Sequence, residues 1–233
     1  MKGTEKVDNS IPGNPNLSVL ALLAQGSFYK VLTTTGIMMA LECVDFSLAP
    51  LCFLTVLGMV FLILCMMEGE SGGVKSRYTW QRLQITQKHL FLLKTVYNVL
   101  CFILLFAAQT VMGIRSCYRY SLHIPRESLS PQLVFLAFYR REFLHCLLPM
   151  AEILKWIRNI LLILAFSITA AADTSVRPRR NMVIVRAVIY IMTFCWFITP
   201  VGINIADIGL CITCTVVCTA TVCRMSGYSR RGS

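Results

Sequence analysis

The chain has 233 residues, of which 56% are hydrophobic and only 14% charged, with a net charge of +11 and a mean hydropathy of +0.67. A soluble domain carries roughly 25% charged residues, so this deficit argues against a water-soluble globule and for lipid as the solvent. The basic excess lies between apolar runs and not on one aromatic-laced face, which disfavours nucleic acid and fits membrane orientation and anionic headgroups.

A spanning helix needs about 20 mostly apolar residues. Six such segments can be placed, and they leave no room for a second folded domain. The expected fold is all-α, a polytopic integral membrane bundle.

Residues 1–16 read as a disordered polar tail without the apolar core of a cleavable signal. The next stretch carries Leu17, Leu20, Leu22 and Leu23 and suits an interfacial helix that ends near Gly26, with Lys30 at the membrane entrance. The same residues could instead extend the first span backwards. That span, 31–46, is diluted by Thr33, Thr34, Thr35, Glu42 and Asp45, and Pro50, which has no amide to donate, ends any continuous helix. A short link at 47–50 leads to the almost purely apolar second span, 51–67, in a tight antiparallel hairpin.

Residues 68–89 form a polar loop on the cytosolic side, opened by a Gly-rich turn. The third span, 90–113, holds Asn98 and Gln109 as polar interior groups. An outer loop, 114–152, follows. In it Ser130-Pro131 starts a helix over 131–148, with proline at the first helical position. Arg140, Arg141 and Glu142 make that helix a surface element and not a span. The fourth span, 153–172, has Glu152, Lys155 and Arg158 at its mouth. The fifth, 182–199, is broken by Pro200 and Gly202, and the sixth, 203–223, leads to a basic tail. With both termini cytosolic, 15 of the 22 Lys and Arg residues fall on the cytosolic side, as the positive-inside rule requires.

Motifs for chemistry are weak. The run from Gly69 to Ser76 has a phosphate-loop flavour, but Val74 separates Gly73 from Lys75 and the preceding element is not a strand. Cys211, Cys214, Cys218 and Cys223 have metal-like spacing. Zinc would need several of them as thiolates, a poor state in lipid, so small apolar packing is the better reading. Cys117 and Cys146 fall in the outer loop, where a disulfide is conceivable. His89, His123 and His145 have no partner at ligand spacing. No catalytic, cofactor-binding or metal residue is expected, and the chain is not read as an enzyme.

Charge inside a span costs about 3 kcal/mol at a helix centre. Asp207 and Arg186 lie only a turn inside their spans, so snorkelling to the interface explains both. Glu42 shares its span with three threonines, which points to a helix facing protein or a polar cavity. Glu42, Asn98 and Asp207 are therefore the intramembrane polar candidates.

The segment Arg82-Leu83-Gln84-Ile85-Thr86, followed by Lys88 and Lys94, resembles the cytosolic stretch between the second and third spans of type-2 ABC exporter permeases. The layout is also similar: an interfacial helix first, six spans, both termini inside. Two features depart from the family pattern, Gln84 where it often has proline and the long outer segment between the third and fourth spans. The resemblance implies a membrane subunit without ATPase motifs, docked on a separate ATP-binding cassette subunit and working with a second membrane subunit. Its coupling surface would be Tyr78, Trp80, Arg82, Leu83, Ile85 and Thr86. A short helix with aromatic and leucine anchors framed by basic residues can also insert into a groove on a soluble partner on general grounds. The rival readings are a non-transporting membrane interaction, sensor or assembly protein, and an intramembrane enzyme dependent on a group such as Glu42 or His145.

Overall fold

The computed structural model describes residues 15–71, 86–122, 142–149, 152–175, 187–193 and 204–231. Helix α1 covers Pro15–Val44, α2 Ala49–Ser71, α3 Gln87–Leu122, α4 Glu142–Leu147, α5 Ile153–Ser175 and α6 Asn204–Arg231, with a 3-10 turn at Phe46–Leu48. Residues 187–193 are also helical, and the described residues contain no strand.

Of the two readings of the chain's start, α1 follows the one in which the first stretch extends the first span backwards. One continuous helix of 30 residues replaces the interfacial helix and the first span. It passes through Gly26 and Gly36, around which a Cβ would meet nothing within 4 Å. The threonines that seemed to dilute the span are absorbed by the helix itself. Thr33, Thr34 and Thr35 donate to the carbonyls of Tyr29, Lys30 and Val31 at 2.9, 2.6 and 2.8 Å, so their hydroxyls are satisfied without water. The amino-terminal half of α1 is not merely interfacial. Leu23 is buried in the core with Leu20 against it, and the Ser27 hydroxyl lies 2.7 Å from that of Tyr97 on α3.

The helix break also falls earlier than Pro50. Asp45 caps the 3-10 turn, accepting from the Ser47 amide at 2.9 Å and from its hydroxyl, and these bonds hold its carboxyl below the usual range. Pro50 then falls in the first turn of α2, where a missing N–H leaves no helical bond unmade.

Helices α2, α3, α5 and α6 are long and apolar enough to cross a bilayer, over Phe46–Met66, Lys88–Arg119, Ile153–Ala172 and Asp207–Arg224. Among the described residues this gives four candidate spans and not six. Helix α1 is not one of them, and most of the fifth expected span, with Arg186, Pro200 and Gly202, lies outside the described residues.

Helices α3 and α5 pack side by side. Helix α1 lies against α2 and α3, α2 against α5, and α6 against α5. Aromatic rings join three of them. Phe53 of α2 meets Phe106 of α3 edge-on at 5.1 Å, and Phe166 of α5 meets Phe61 at 5.2 Å and Phe102 at 5.8 Å. On α3 the buried set Tyr97, Cys101, Leu105 and Met112 is opposed by an exposed set Leu92, Val96, Leu100, Ile103, Val111 and Ile114 that is equally apolar. A helix apolar on both faces has its outer face in lipid, not water. The fold is thus an all-helical membrane-protein bundle.

Two close approaches depend on glycine. A Cβ at Gly58 of α2 would come within 2.6 Å of the Tyr190 hydroxyl, which donates to the Leu54 carbonyl at 2.9 Å. A Cβ at Gly113 of α3 would run into the side chain of Leu144 on α4. The expected surface helix over 131–148 is described only from Glu142 onward. Leu144, Cys146 and Leu147 are buried there, so this end is seated on the bundle and not laid on its surface.

Candidate functional site

Among the described residues, three polar seams between helices contain the intramembrane candidates, apart from the Ser27–Tyr97 pair and the Tyr190–Leu54 bond. They do not form one site, and each contains one candidate.

The most extensive is built on Arg158 of α5. Its guanidinium is fully buried and donates Nη1 to Oδ1 of Asp207 on α6 at 2.7 Å, forming an ion pair in which both side chains are sequestered. Nε and Nη2 donate to the Asn159 side-chain oxygen at 3.2 and 3.0 Å, and Nη2 also reaches the Cys146 carbonyl at 2.9 Å. The Asn159 amide in turn donates to the carbonyls of Cys146 and Leu147 at 3.0 and 3.2 Å. These are the last carbonyls of α4, which a helix end leaves without internal partners. Arg158 and Asn159 thus cap α4 and tie it to α5 and α6. Asp207 does not snorkel, being 2% exposed, and Arg158, expected at the mouth of its span, is 0% exposed. At the start of α5 Lys155 pairs with Glu152 at 2.9 Å.

Arg158 was legible in principle. It falls on the same helical stripe as Leu162, Ala165, Phe166 and Thr169, all buried. Its charge points to the mouth of the span, whereas its register along α5 points inward.

The second contact is a single bond. Asn98 of α3 donates Nδ2 to the Ser167 carbonyl of α5 at 3.2 Å, and both residues are buried. The Ser167 hydroxyl turns back to its own helix at the Ile163 carbonyl, 2.7 Å away. This is a bridge between the two central helices.

The third is the seam between α1 and α3 at Glu42. Glu42 is 3% exposed and Gln109 is 0% exposed. The Gln109 amide lies near enough to polarise the carboxyl, yet neither Glu42 oxygen nor either polar atom of Gln109 closes a hydrogen bond. Cys52 of α2 stands close to the carboxyl from the third side. Sequence reasoning put both residues in the interior but had no means of bringing them together, since they are 67 positions apart on different helices.

The proposed coupling residues Tyr78, Trp80, Arg82, Leu83 and Ile85 lie outside the described residues. Thr86 is described: it is exposed, its carbonyl accepts from the Leu90 amide at 3.0 Å, and it stands directly before α3. Lys94, grouped in the sequence with the basic residues of the loop, is buried on α3. No group of three or more His, Cys, Asp or Glu that could hold a metal occurs among the described residues. Cys146, Cys211, Cys214 and Cys218 are free thiols, while Cys117 is buried and Cys223 exposed.

Comparison with protein-family models, curated proteins and solved structures finds no match to this chain.

Proposed function

We propose that this chain is an integral membrane subunit of an ABC-type export system that crosses the bilayer six times, in the cell membrane, with both termini cytosolic. It carries no ATPase machinery of its own and couples to a separate ATP-binding cassette subunit through residues 68–94, with Tyr78, Trp80, Arg82, Leu83, Ile85 and Thr86 as the contact. The observation that supports this reading is the junction at Thr86. The stretch that resembles the permease motif runs directly into the longest helix, 36 uninterrupted residues packed against α1 and α5. At 1.5 Å per residue that is about 54 Å, against a hydrocarbon core of about 30 Å. A displacement applied at its end is carried into the bundle as movement of a rigid rod. Helix α6 buries the smallest share of its apolar window, 22%, which leaves a face for lipid or for a second membrane subunit.

The test is co-expression of the full chain with an ATP-binding cassette protein encoded beside it. The two should co-purify, Leu83→Asp should weaken their association at least tenfold, and a cysteine replacing Lys75 should react with impermeant thiol reagents only from the cytosolic side. Labelling of that cysteine from the opposite side, or full retention of the partner by Leu83→Asp, would remove this reading.

A further inference from the structure

We propose that Glu42 is a proton-binding site: at neutral pH its carboxyl holds a proton between α1 and α3 and presents it to the amide oxygen of Gln109. The proposal rests on the geometry of the seam and is independent of any ATP-binding partner.

Four polar atoms meet there without hydrogen bonds, two on a carboxyl and two on an amide, and both side chains are more than nine-tenths buried. A buried carboxylate whose one facing donor, the Gln109 amide nitrogen, closes no bond to it is not a stable species. It must gain a donor, bind a cation or take up a proton.

Among the described residues, the charged and titratable groups around it supply no counter-ion. From α2 the near group is the Cys52 thiol. From α3 it is Arg119, whose guanidinium is turned to the Cys43 carbonyl at 3.3 Å. In the turn after α1 it is Asp45, itself acidic and held by Ser47. A hard metal cation fits poorly, because calcium takes roughly six to eight oxygen ligands and this seam offers three. A proton needs only one acceptor, and the Gln109 oxygen supplies it. Protonation converts the carboxyl into a donor, so acid and amide satisfy each other once the seam closes slightly.

Access is short. Glu42 lies three residues before the exposed Asp45, about 4.5 Å along the helix axis, so a proton enters from and returns to the water at that end of the bundle. The step is uptake of one proton by one carboxylate, with no redox partner. The same three features, an orphan acid, an orphan amide and a short route to water, also let the seam change its packing with its protonation state.

The experiment uses the full chain in lipid nanodiscs and dicyclohexylcarbodiimide, which attacks protonated carboxyls in apolar surroundings. Mass spectrometry should find the adduct on Glu42 at neutral pH, several-fold less of it at alkaline pH, and none on the exposed Glu152. Sodium, potassium and calcium should leave the yield unchanged. Because the adduct is mapped on the unmodified chain, the result does not depend on a variant folding. Infrared spectra should show a protonated-carboxyl carbonyl band that Glu42→Gln removes, and Gln109→Leu should move the pH at which the band disappears. The proposal is overturned if neither adduct nor band depends on Glu42, or if a metal cation protects Glu42 from the reagent.

Discussion

The seam at Arg158 and the seam at Glu42 both bury an ionisable side chain in an apolar bundle, and they are built in opposite ways. Arg158 is surrounded by acceptors: a carboxylate, an amide oxygen and a helix-end carbonyl, brought from two other helices and from its own neighbour. Glu42 has an amide opposite it and no hydrogen bond to it. A saturated network fixes one arrangement of the helices around it, whereas an unsatisfied pair leaves an arrangement that a bound proton can change. The difference separates a structural clamp from a site able to respond.

The largest effect tests the clamp. Arg158→Leu or Asp207→Leu alone strands the opposite charge in the interior, and each should destabilise the folded chain by about 3–5 kcal/mol in reversible detergent unfolding. The double replacement should recover most of that loss, since Asn159 still serves both carbonyls of α4. A double variant no better than either single one would mean that the pair is not the centre of the network.

Gly113→Val probes whether α4 belongs to the clamp or only lies over it. Driving a side chain into Leu144 should cost about 1–3 kcal/mol and increase labelling of the buried Cys146 thiol, if seating α4 is what closes this end. Unchanged Cys146 labelling would detach α4 from the comparison.

Asn98→Leu supplies an intermediate reference. It removes one neutral hydrogen bond to the Ser167 carbonyl, and thermal unfolding should register a loss of about 1 kcal/mol. At the far end of the scale, Glu42→Gln should change stability by less than about 0.5 kcal/mol near neutral pH, because an amide takes the place of an acid that is already neutral there. A loss as large as that of Asp207→Leu would show that Glu42 is ionised and paired, and would collapse the distinction between the two seams.

Much of this was readable from composition and periodicity. The apolar runs at 51–67, 90–113 and 153–172 lie within observed helices, and that at 203–223 does so from Asn204 onward, because length and hydropathy are local properties. At the start of the chain local signals left two readings open, a separate interfacial helix or one extended helix, and the second holds. Gly26 and Lys30 look like a boundary, yet a helix continues through a glycine when the next turns pack, as Ser27 and Val31 do. Pro50 looks like a terminator, although its rigid backbone suits a first turn and Asp45 ends the preceding helix. The pairings were out of reach for a different reason. Arg158 and Asp207 are 49 residues apart, and which charges meet is decided by how helices dock and not by the sequence around either one. Register along α5 would have shown that Arg158 faces inward, but not what awaits it there.

The notch at Gly58 also bears on how the molecule is put together. The Leu54 carbonyl and the bare backbone at Gly58 form a receptacle only once α2 has coiled, because they are one turn apart on it. The phenol of Tyr190 that fills it is 136 residues further along the polypeptide. Tyr190 is therefore synthesised well after the residues of its receptacle, and it can dock only on an α2 that has already coiled.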